Sequence, residues 1–153
     1  MNLTFTTVGI VGAGAMGRGI AQIAAQAGST VLLFDTQPEA VARGRDAVFS
    51  QWDKLLDKGR LDAGQVDAFK SRVQPAASLA DLAACDLVVE AIVERLDIKK
   101  SLFAELEALV SPTAVLATNT SSLSVTSIAA GLQHTRRLAG FHFFNPVPLM
   151  KVV

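Results

Sequence analysis

VGIVGAGAMG, from Val8 to Gly17, is the stretch of sequence that decides the fold. It opens with a short apolar run, which predicts a buried strand, and passes through a G-x-G-x-x-G pattern into a segment of small residues with helical spacing. Gly12 permits a tight turn, Gly14 lets the backbone approach a pyrophosphate, and Gly17 lets the helix pack closely on the strand. This strand–turn–helix context predicts that the amino end of the helix binds phosphate groups.

Segments with strand and helix patterns alternate along the rest of the chain. Apolar runs predict further strands at residues 30–34, 86–91, 115–117 and 137–143. Helical spacing predicts helices at residues 15–27, 62–71, 96–110 and 125–130, and a longer helix between Thr36 and Gly59. This alternation predicts an α/β fold of the Rossmann type, with a doubly wound, mostly parallel sheet and helices on both faces. We expect one dinucleotide-binding domain over residues 1–153.

Side-chain patterns predict two details of the helices. Thr36 and Glu39 have the spacing of a capping box, which would start the long helix. The buried face of the helix at residues 96–110 is predicted to consist of Ile98, Leu102, Leu106 and Leu109.

Asp35 follows the second predicted strand, where dinucleotide-binding folds place an acidic residue. A carboxylate there accepts hydrogen bonds from the ribose hydroxyls of adenosine and repels a 2′-phosphate. The next residues are Thr36 and Gln37, so no arginine directly follows Asp35. The pattern therefore predicts NAD rather than NADP as the cofactor. The alternative is a plain glycine turn in which Asp35 only caps the end of a strand.

The composition excludes several classes of function. The chain carries 14 basic and 14 acidic residues, so no basic surface for nucleic acid is expected. Its apolar runs are too short to span a membrane, and the run at residues 87–93 is interrupted by Glu90. Cys85 is the single cysteine, which excludes an internal disulfide and fits a reducing compartment. Because the first residues show no signal-peptide pattern, we expect a cytoplasmic protein. We also predict that the chain has no metal site.

Three further motifs follow the glycine pattern: VEAIVE at residues 89–94, NTSS at residues 119–122 and GFHFFNPVPLM at residues 140–150. With these motifs the chain resembles the 3-hydroxyacyl-CoA dehydrogenase family over essentially its whole length. The resemblance implies an NAD-dependent oxidoreductase of fatty acid metabolism. Its reaction would be the reversible oxidation of an (S)-3-hydroxyacyl-CoA to the 3-oxoacyl-CoA by hydride transfer.

The resemblance makes His142 the candidate general base, which takes the proton from the 3-hydroxyl group while hydride leaves C3. Imidazole suits this task because histidine exchanges protons near neutral pH. Asn145 is implied to hold the substrate oxygen and the histidine region, and Ser121 to lie beside the substrate carbonyl or hydroxyl group. The structural alternatives are a core histidine between aromatic residues, a turn-forming asparagine and a helix-capping serine.

Glu94 and Lys99 match family positions near the nicotinamide ribose, so the resemblance implies that they bind the cofactor. The alternative is that both are ordinary solvated charges at a helix start, since Lys99 follows Glu94 by five residues rather than the four of an ideal helical ion pair. Lys58 matches a lysine that binds the acyl-CoA substrate, and Lys54 and Arg60 would add positive charge nearby. The alternative for Lys58 is a simple interaction with the helix dipole.

The resemblance also implies parts of the protein beyond Val153. In the family, a glutamate that follows the catalytic histidine orients it, and a helical carboxy-terminal domain completes the acyl-CoA site and forms the contact of a homodimer. We therefore expect residues 1–153 to be an excised domain that folds and binds NAD but oxidises substrate poorly or not at all.

Two other functions stay open at this point. A β-hydroxyacid dehydrogenase that acts on free acids shares the dinucleotide-binding fold, but its base is a lysine in the following domain, so it would not need His142. A non-catalytic module that binds NAD for sensing or for structure would need only the glycine pattern and Asp35. Replacement of His142 separates the two dehydrogenases, and NADH binding is a requirement of all three functions.

Overall fold

The computed structural model describes residues 5–151 and 153. Its centre is a six-stranded sheet in which all neighbouring strands are parallel. The strands are β1 (Thr7–Val11), β2 (Thr30–Phe34), β3 (Val73–Pro75), β4 (Leu87–Glu90), β5 (Val115–Thr118) and β6 (Leu138–Gly140). Their order across the sheet is β3-β2-β1-β4-β5-β6, which confirms the predicted Rossmann-type fold. The strand order reverses between β1 and β4, and ligands of such folds bind outside the carboxyl ends of the strands at this point.

Helices cover both faces of the sheet. They are α1 (Ala15–Ala27), α2 (Pro38–Asp57), α3 (Ala63–Arg72), α4 (Leu96–Leu109) and α5 (Val125–Ala129). Because strand side chains alternate between faces, Leu87 and Val89 of β4 pack in the core with α1, α2 and α3, whereas Val88 packs in the core with α4 and α5. Among the described residues, no helix combines the length and the apolar character needed to cross a membrane.

The start of α2 differs from the predicted capping box at Thr36 and Glu39. The N-cap residue is Gln37, and its side chain forms no capping hydrogen bond. Pro38 begins the helix and disfavours helical geometry in the residue before it, so Gln37 stays extended at φ −106° and ψ 106°. A capping box does occur at the start of α3, with Asp62 as its N-cap residue.

β3 is an edge strand that the sequence patterns do not predict. It has three residues, too few for a periodic pattern, and it ends in Pro75. Proline is tolerated there because one side of an edge strand needs no backbone donor.

β6 is shorter than its apolar run predicts, because it ends at Gly140 rather than at residue 143. The N–H of Phe141 still donates to a carbonyl of β5, but the N–H of Phe143 donates to the side chain of Asn119. The chain therefore leaves the sheet before His142, which lies on a loop at the carboxyl end of β6.

The buried face of α4 is turned by one residue from the predicted face. Its buried side chains are those of Lys99, Phe103 and Leu106. Of the predicted face, Leu106 is buried, whereas Ile98, Leu102 and Leu109 are half-buried. Ile98 and Leu102 line a cavity. The helix is turned because Lys99 enters the interior to meet a buried carboxylate, which apolar periodicity cannot reveal.

Candidate cofactor and catalytic site

The glycine turn between β1 and α1 is shaped by two close backbone approaches. Gly12 has a φ of 108°, and a β-carbon there would lie 2.4 Å from the carbonyl oxygen of Ala91. A β-carbon on Gly17 would lie 1.7 Å from the carbonyl oxygen of Gly12. Both positions therefore require glycine for the fold itself. A β-carbon on Gly14 would meet no heavy atom of the described residues within 4 Å, so this glycine borders open space.

The amino end of α1 presents backbone donors that no side chain of the helix caps. Gly14 is the N-cap residue, and the first turn contains no acidic residue. The first N–H groups of a helix lack internal partners, and the positive end of the helix dipole attracts anions. This end of α1 therefore fits the diphosphate of a dinucleotide.

Asp35 is fixed beside the glycine turn by two backbone hydrogen bonds. Its Oδ2 accepts from the N–H of Ala13 at 2.9 Å, and its Oδ1 accepts from the N–H of Gln37 at 3.0 Å. A cavity of about 480 Å³ is lined by Asp35 and Gly12, by apolar side chains that include Phe34, Ile98 and Leu102, and by the carboxylates of Asp97 and Glu105. This mostly apolar slot fits an adenosine whose ribose hydroxyls donate to Asp35. The same two hydrogen bonds mean that Asp35 also caps the end of β2, as the alternative interpretation of this residue predicts.

A second cavity, of about 340 Å³, brings together four of the predicted site residues: Glu94, Ser121, His142 and Asn145. They follow β4, β5 and β6, and they meet because the carboxyl ends of parallel strands lie along one edge of the sheet. Ile92 lines both this cavity and the cavity of Asp35, so the two cavities are adjacent.

His142 is exposed to solvent in the wall of the second cavity. Its ring centroid lies 4.7 Å from that of Phe144. The residue between them, Phe143, is buried, and its N–H donates to Asn119 Oδ1 at 2.9 Å. His142 is therefore not the core histidine of the structural alternative, and its loop is anchored through the neighbouring residue.

Asn145 borders both the second cavity and a third cavity of about 300 Å³ between α1 and α2. Arg18 and Gln51 contribute polar groups to the lining of the third cavity. Val147 is 3 % exposed and fixes this segment against α1, where it packs on Gly19. Asn145 itself is exposed on a bend of the chain, so its side chain is accessible to a ligand.

Lys58 lies apart from the four clustered residues. It is the exposed C-cap residue of α2 and lines none of the three cavities described above. Gln51, which lines the third cavity, precedes it by about two helical turns. The position of Lys58 fits the helix-dipole alternative.

Glu90, which interrupts an apolar run in the sequence, is the centre of a buried ionic network. The residues Glu90, Lys99 and Thr118 are 0 % exposed. Glu90 Oε1 accepts hydrogen bonds from Lys99 Nζ at 2.7 Å and from the N–H of Ile92 at 2.9 Å, and Oε2 accepts from Thr118 Oγ1 at 2.6 Å. Sequence reasoning missed this residue, although a glutamate within a buried strand signals that a buried partner must exist.

Lys99 links this network to the wall of the second cavity. Its Nζ lies 3.1 Å from Glu94 Oε2. The five-residue spacing does not prevent this ion pair, because Glu94 precedes α4 and is not on the helix. Lys99 itself is buried behind Glu94 and does not line the cavity.

The carboxylate of Glu94 is held from both sides. Its Oε1 accepts a hydrogen bond from the hydroxyl of Thr120 and lies 3.3 Å from the N–H nitrogen of Ser121. Burial alone would raise the pKa of Glu94, but Thr120 and Lys99 outweigh this effect and lower the pKa from 4.5 to about 2. Glu94 and Lys99 are therefore not ordinary solvated charges at a helix start. Within residues 5–151 and 153, no group of three or more His, Cys, Asp or Glu side chains is arranged to hold a metal ion.

The sequence is similar to those of known 3-hydroxyacyl-CoA dehydrogenases. Residues 7–153 match the family model described as 3-hydroxyacyl-CoA dehydrogenase, NAD binding domain. The chain is 44% identical over 153 residues to a 3-hydroxyadipyl-CoA dehydrogenase of Escherichia coli (strain K12), which is 100% of this chain and 32% of that protein. It is 43% identical over 145 residues to a probable 3-hydroxybutyryl-CoA dehydrogenase of Deinococcus radiodurans, which is 95% of this chain and 52% of that protein.

Solved structures extend the likeness to the fold. The crystal structure of 3-hydroxybutyryl-CoA dehydrogenase from Escherichia coli K12 matches with a TM-score of 0.95 at 44% identity, over 97% of this chain and 32% of that one. The structure of (S)-3-hydroxybutyryl-CoA dehydrogenase from Ralstonia eutropha matches with a TM-score of 0.92 at 40% identity, over 96% of this chain and 52% of that one. The chain thus spans about a third to a half of the length of these relatives. It belongs to the 3-hydroxyacyl-CoA dehydrogenase family, of which it forms the NAD-binding domain.

Proposed function

We propose that this NAD-binding domain is part of an enzyme that reversibly oxidises an (S)-3-hydroxyacyl-CoA to the 3-oxoacyl-CoA. The proposal rests on one observation: His142, Ser121 and Asn145 line the same cavity. Ile92 lines both this cavity and the cavity of Asp35, so the two are adjacent. A proton acceptor then lies beside the crevice into which the nicotinamide half of the cofactor would extend. The names of the relatives, 3-hydroxyadipyl-CoA and 3-hydroxybutyryl-CoA dehydrogenase, support the substrate class.

The chain supplies distinct groups for each part of the cofactor. NAD, when bound, is the acceptor for the hydride that leaves C3 of the substrate. The backbone at Gly12 and Gly14 and the amino end of α1 would hold its diphosphate. Asp35 would accept hydrogen bonds from the ribose of adenosine and disfavour a 2′-phosphate. Glu94 would bind at the nicotinamide ribose, and Lys99 would act through Glu94 because it is buried behind it.

His142 is the general base in this proposal. Its imidazole accepts the proton of the 3-hydroxyl group while the C3–H bond breaks and the hydride departs, and it returns the proton in the reverse reaction. The amide of Asn145 and the hydroxyl of Ser121 line the same cavity and can donate hydrogen bonds to the substrate oxygen. Such donors stabilise negative charge that develops on this oxygen in the transition state.

The acyl-CoA is proposed to approach along the third cavity, because Asn145 borders both this cavity and the second cavity, which contains His142. Arg18 contributes positive charge to its lining. The exposed Lys58, together with Lys54 and Arg60, would attract the phosphates of coenzyme A from the end of α2.

The complete enzyme is proposed to include a helical domain that closes the active site and forms a homodimer, and to be cytoplasmic. The chain covers 32% of one relative and 52% of another. Most of the first relative and about half of the second therefore lie outside the matched region. We expect the chain alone to bind NADH but to turn over acetoacetyl-CoA far more slowly than the complete enzyme, because water reaches an unclosed site.

Turnover of acetoacetyl-CoA with NADH by the complete enzyme tests the proposal. His142→Gln should lower kcat by about 10²- to 10⁴-fold, the usual contribution of a general base, and leave NADH affinity unchanged. The matched control is His134→Gln, because His134 is the other histidine of the chain, is exposed, and lines none of the three cavities. Unchanged turnover in His142→Gln would assign the base to another residue, as in a β-hydroxyacid dehydrogenase, and the proposal would be wrong.

A further inference from the structure

We propose that Glu90 is a positioning residue of the cofactor site: through Lys99, it fixes the carboxylate of Glu94 in the wall of the His142 cavity. The inference rests on the proposed function, which assigns Glu94 to the nicotinamide side of the site. Glu90 itself is 0 % exposed and lines neither this cavity nor the cavity of Asp35. Its influence on a ligand would therefore be indirect.

Glu90 lies where two loops of the site leave the sheet. It is the last residue of β4, and the strand register aligns it with Val11 at the end of β1 and with Thr118 at the end of β5. Its carboxylate accepts a hydrogen bond from Thr118 Oγ1, and its backbone carbonyl accepts one from the N–H of Asn119. Glu90 therefore holds the start of the loop at residues 119–122 with both its side chain and its backbone.

The charges make the position of Lys99 depend on Glu90. A buried ammonium group is costly without a partner, and Glu90, at 2.7 Å, is the partner that is itself fully buried. The second carboxylate, that of Glu94, is 3.1 Å away, and its side chain is 35 % exposed. Without Glu90, the ammonium group of Lys99 would be drawn towards Glu94 and solvent. A buried Lys99 would then no longer hold Glu94 Oε2 in one position.

Glu94 in turn organises the loop that carries Ser121. Its Oε1 accepts a hydrogen bond from the hydroxyl of Thr120 and lies 3.3 Å from the N–H nitrogen of Ser121. A continuous series of contacts therefore runs from Glu90 through Lys99 and Glu94 to a residue in the wall of the catalytic cavity.

A role in stability alone would not need these charges. Replacement of a buried ion pair by apolar residues of similar volume is often neutral or even stabilising, so such a pair is weak evidence for stabilisation. An apolar pair at these positions would fill the same volume, but it could not hold a carboxylate at the cavity wall. The charged pair of Glu90 and Lys99 therefore provides a fixed position for Glu94 Oε2, while Thr120 holds Oε1.

Binding of two probes by the chain tests this inference. ADP carries only the adenosine and the diphosphate, which are assigned to the cavity of Asp35 and to the glycine turn. NADH also carries the nicotinamide ribose, which is assigned to Glu94. We expect Glu90→Gln to raise the dissociation constant of NADH about tenfold, which corresponds to the loss of one charge-assisted hydrogen bond. The dissociation constant of ADP should not change. Isothermal titration calorimetry measures both constants.

Glu107→Gln is the matched control. Glu107 is a carboxylate of α4 that accepts hydrogen bonds from the N–H groups of Gln133 and His134, and it lines neither cavity. Its replacement by glutamine should leave the affinities of both probes as they are in the unmodified chain.

A double variant covers the case in which Glu90→Gln does not fold, since that change leaves the buried ammonium group of Lys99 without a fully buried carboxylate as its partner. Glu90→Gln combined with Lys99→Met removes both buried charges, and it should show the same tenfold loss for NADH and no loss for ADP. Equal NADH affinity in a folded variant would overturn the inference, as would parallel losses for NADH and ADP, which indicate a general structural effect. Failure of the unmodified chain to bind NADH would overturn the proposed function, and this inference with it.

Discussion

Gly19 of α1 and Val147 of the segment after His142 are packed so closely that a side chain at position 19 has no room. A β-carbon on Gly19 would lie 2.9 Å from Val147 Cβ and 3.1 Å from its Cγ2. Val147 is buried, so this contact is fixed. The helix whose amino end fits the cofactor diphosphate therefore also supports the segment that carries His142 and Asn145.

We expect Gly19→Ala to lower the free energy of unfolding by about 1–3 kcal/mol, the usual cost of forcing an extra methyl group into a packed interface. Because Val147 must move, Asn145 would move with it, and kcat of the complete enzyme should fall. Urea unfolding of the chain measures the first effect, and NADH oxidation in the presence of acetoacetyl-CoA measures the second.

Val147→Gly removes the two carbon atoms that crowd the new methyl group and leaves only Pro148 Cδ at an ordinary contact distance of 3.6 Å, so the two changes form a double-mutant cycle. In this background, Gly19→Ala should be neutral or should stabilise the chain by up to about 1 kcal/mol, because alanine has the higher helix propensity. Equal destabilisation in both backgrounds would show that this contact does not constrain position 19.

Gly14→Ala should separate cofactor binding from folding. The residue has φ −71° and ψ −169°, which alanine adopts readily, and the new methyl group would meet no heavy atom within 4 Å in the part of the chain that the structure describes. We expect an unchanged unfolding midpoint and a loss of NADH affinity of roughly 10- to 100-fold, because the methyl group would hinder hydrogen bonds between the diphosphate and the backbone. Thermal unfolding and isothermal titration calorimetry give the two values.

Gly12→Ala is the variant for comparison, and we expect this change to destabilise the fold. Its φ of 108° is unfavourable for alanine, and its β-carbon would lie 2.4 Å from the carbonyl oxygen of Ala91. A large drop in the unfolding midpoint is therefore expected for Gly12→Ala and none for Gly14→Ala. If Gly14→Ala bound NADH as tightly as the unmodified chain, the diphosphate would not lie at this turn.

The part of the site that depends on local sequence could be predicted from the sequence. The bounds of α1 and β2 agree with those predicted, because glycines mark the turns and each segment has a clear period. The meeting of Ser121, His142 and Asn145 follows from their positions after parallel strands, whose carboxyl ends share one edge of the sheet.

Features that depend on pairs of distant polar residues could not be predicted. Lys99 belongs to the buried face of α4. Because lysine is charged, the spacing of apolar residues alone predicts a different buried face for this helix. The end of β6 depends on the Asn119 side chain, which takes the N–H of Phe143 from 24 residues away. Glu90 has a recognisable signal, a charge inside a strand, but its partner is known only once the packing of α4 is known.

Asp35→Asn should weaken the preference for NADH over NADPH. The variant retains a side-chain oxygen for one of the two backbone hydrogen bonds but loses the negative charge that would repel a 2′-phosphate. We expect the ratio of the NADPH and NADH dissociation constants to fall about tenfold. Glu39→Gln is a suitable control, since this exposed carboxylate of α2 does not line the Asp35 cavity. An unchanged ratio in Asp35→Asn would show that Asp35 does not select the cofactor.

Glu94→Gln should change how the stability of the chain depends on pH. Burial alone would raise the pKa of Glu94, yet Thr120 and Lys99 lower it in the folded chain from 4.5 to about 2. A carboxylate whose pKa is lowered by folding stabilises the folded state above its unfolded pKa, and this contribution is lost as the pH falls through the folded pKa. The unmodified chain should therefore be more stable than Glu94→Gln near neutral pH, and the difference should shrink as the pH falls from about 4.5 to about 2.

Urea unfolding of both proteins at a series of pH values across this window measures the difference. Burial raises and backbone hydrogen bonds lower the pKa values of Asp86 and Glu107, with a net lowering, so these groups also make the folded state sensitive to acid. Both groups are present in the two proteins, and their contributions cancel in the difference. A difference that stays constant across the window would mean that the carboxylate of Glu94 does not keep Thr120 and Lys99 as partners in solution. The series of contacts from Glu90 to the second cavity would then lose its last step.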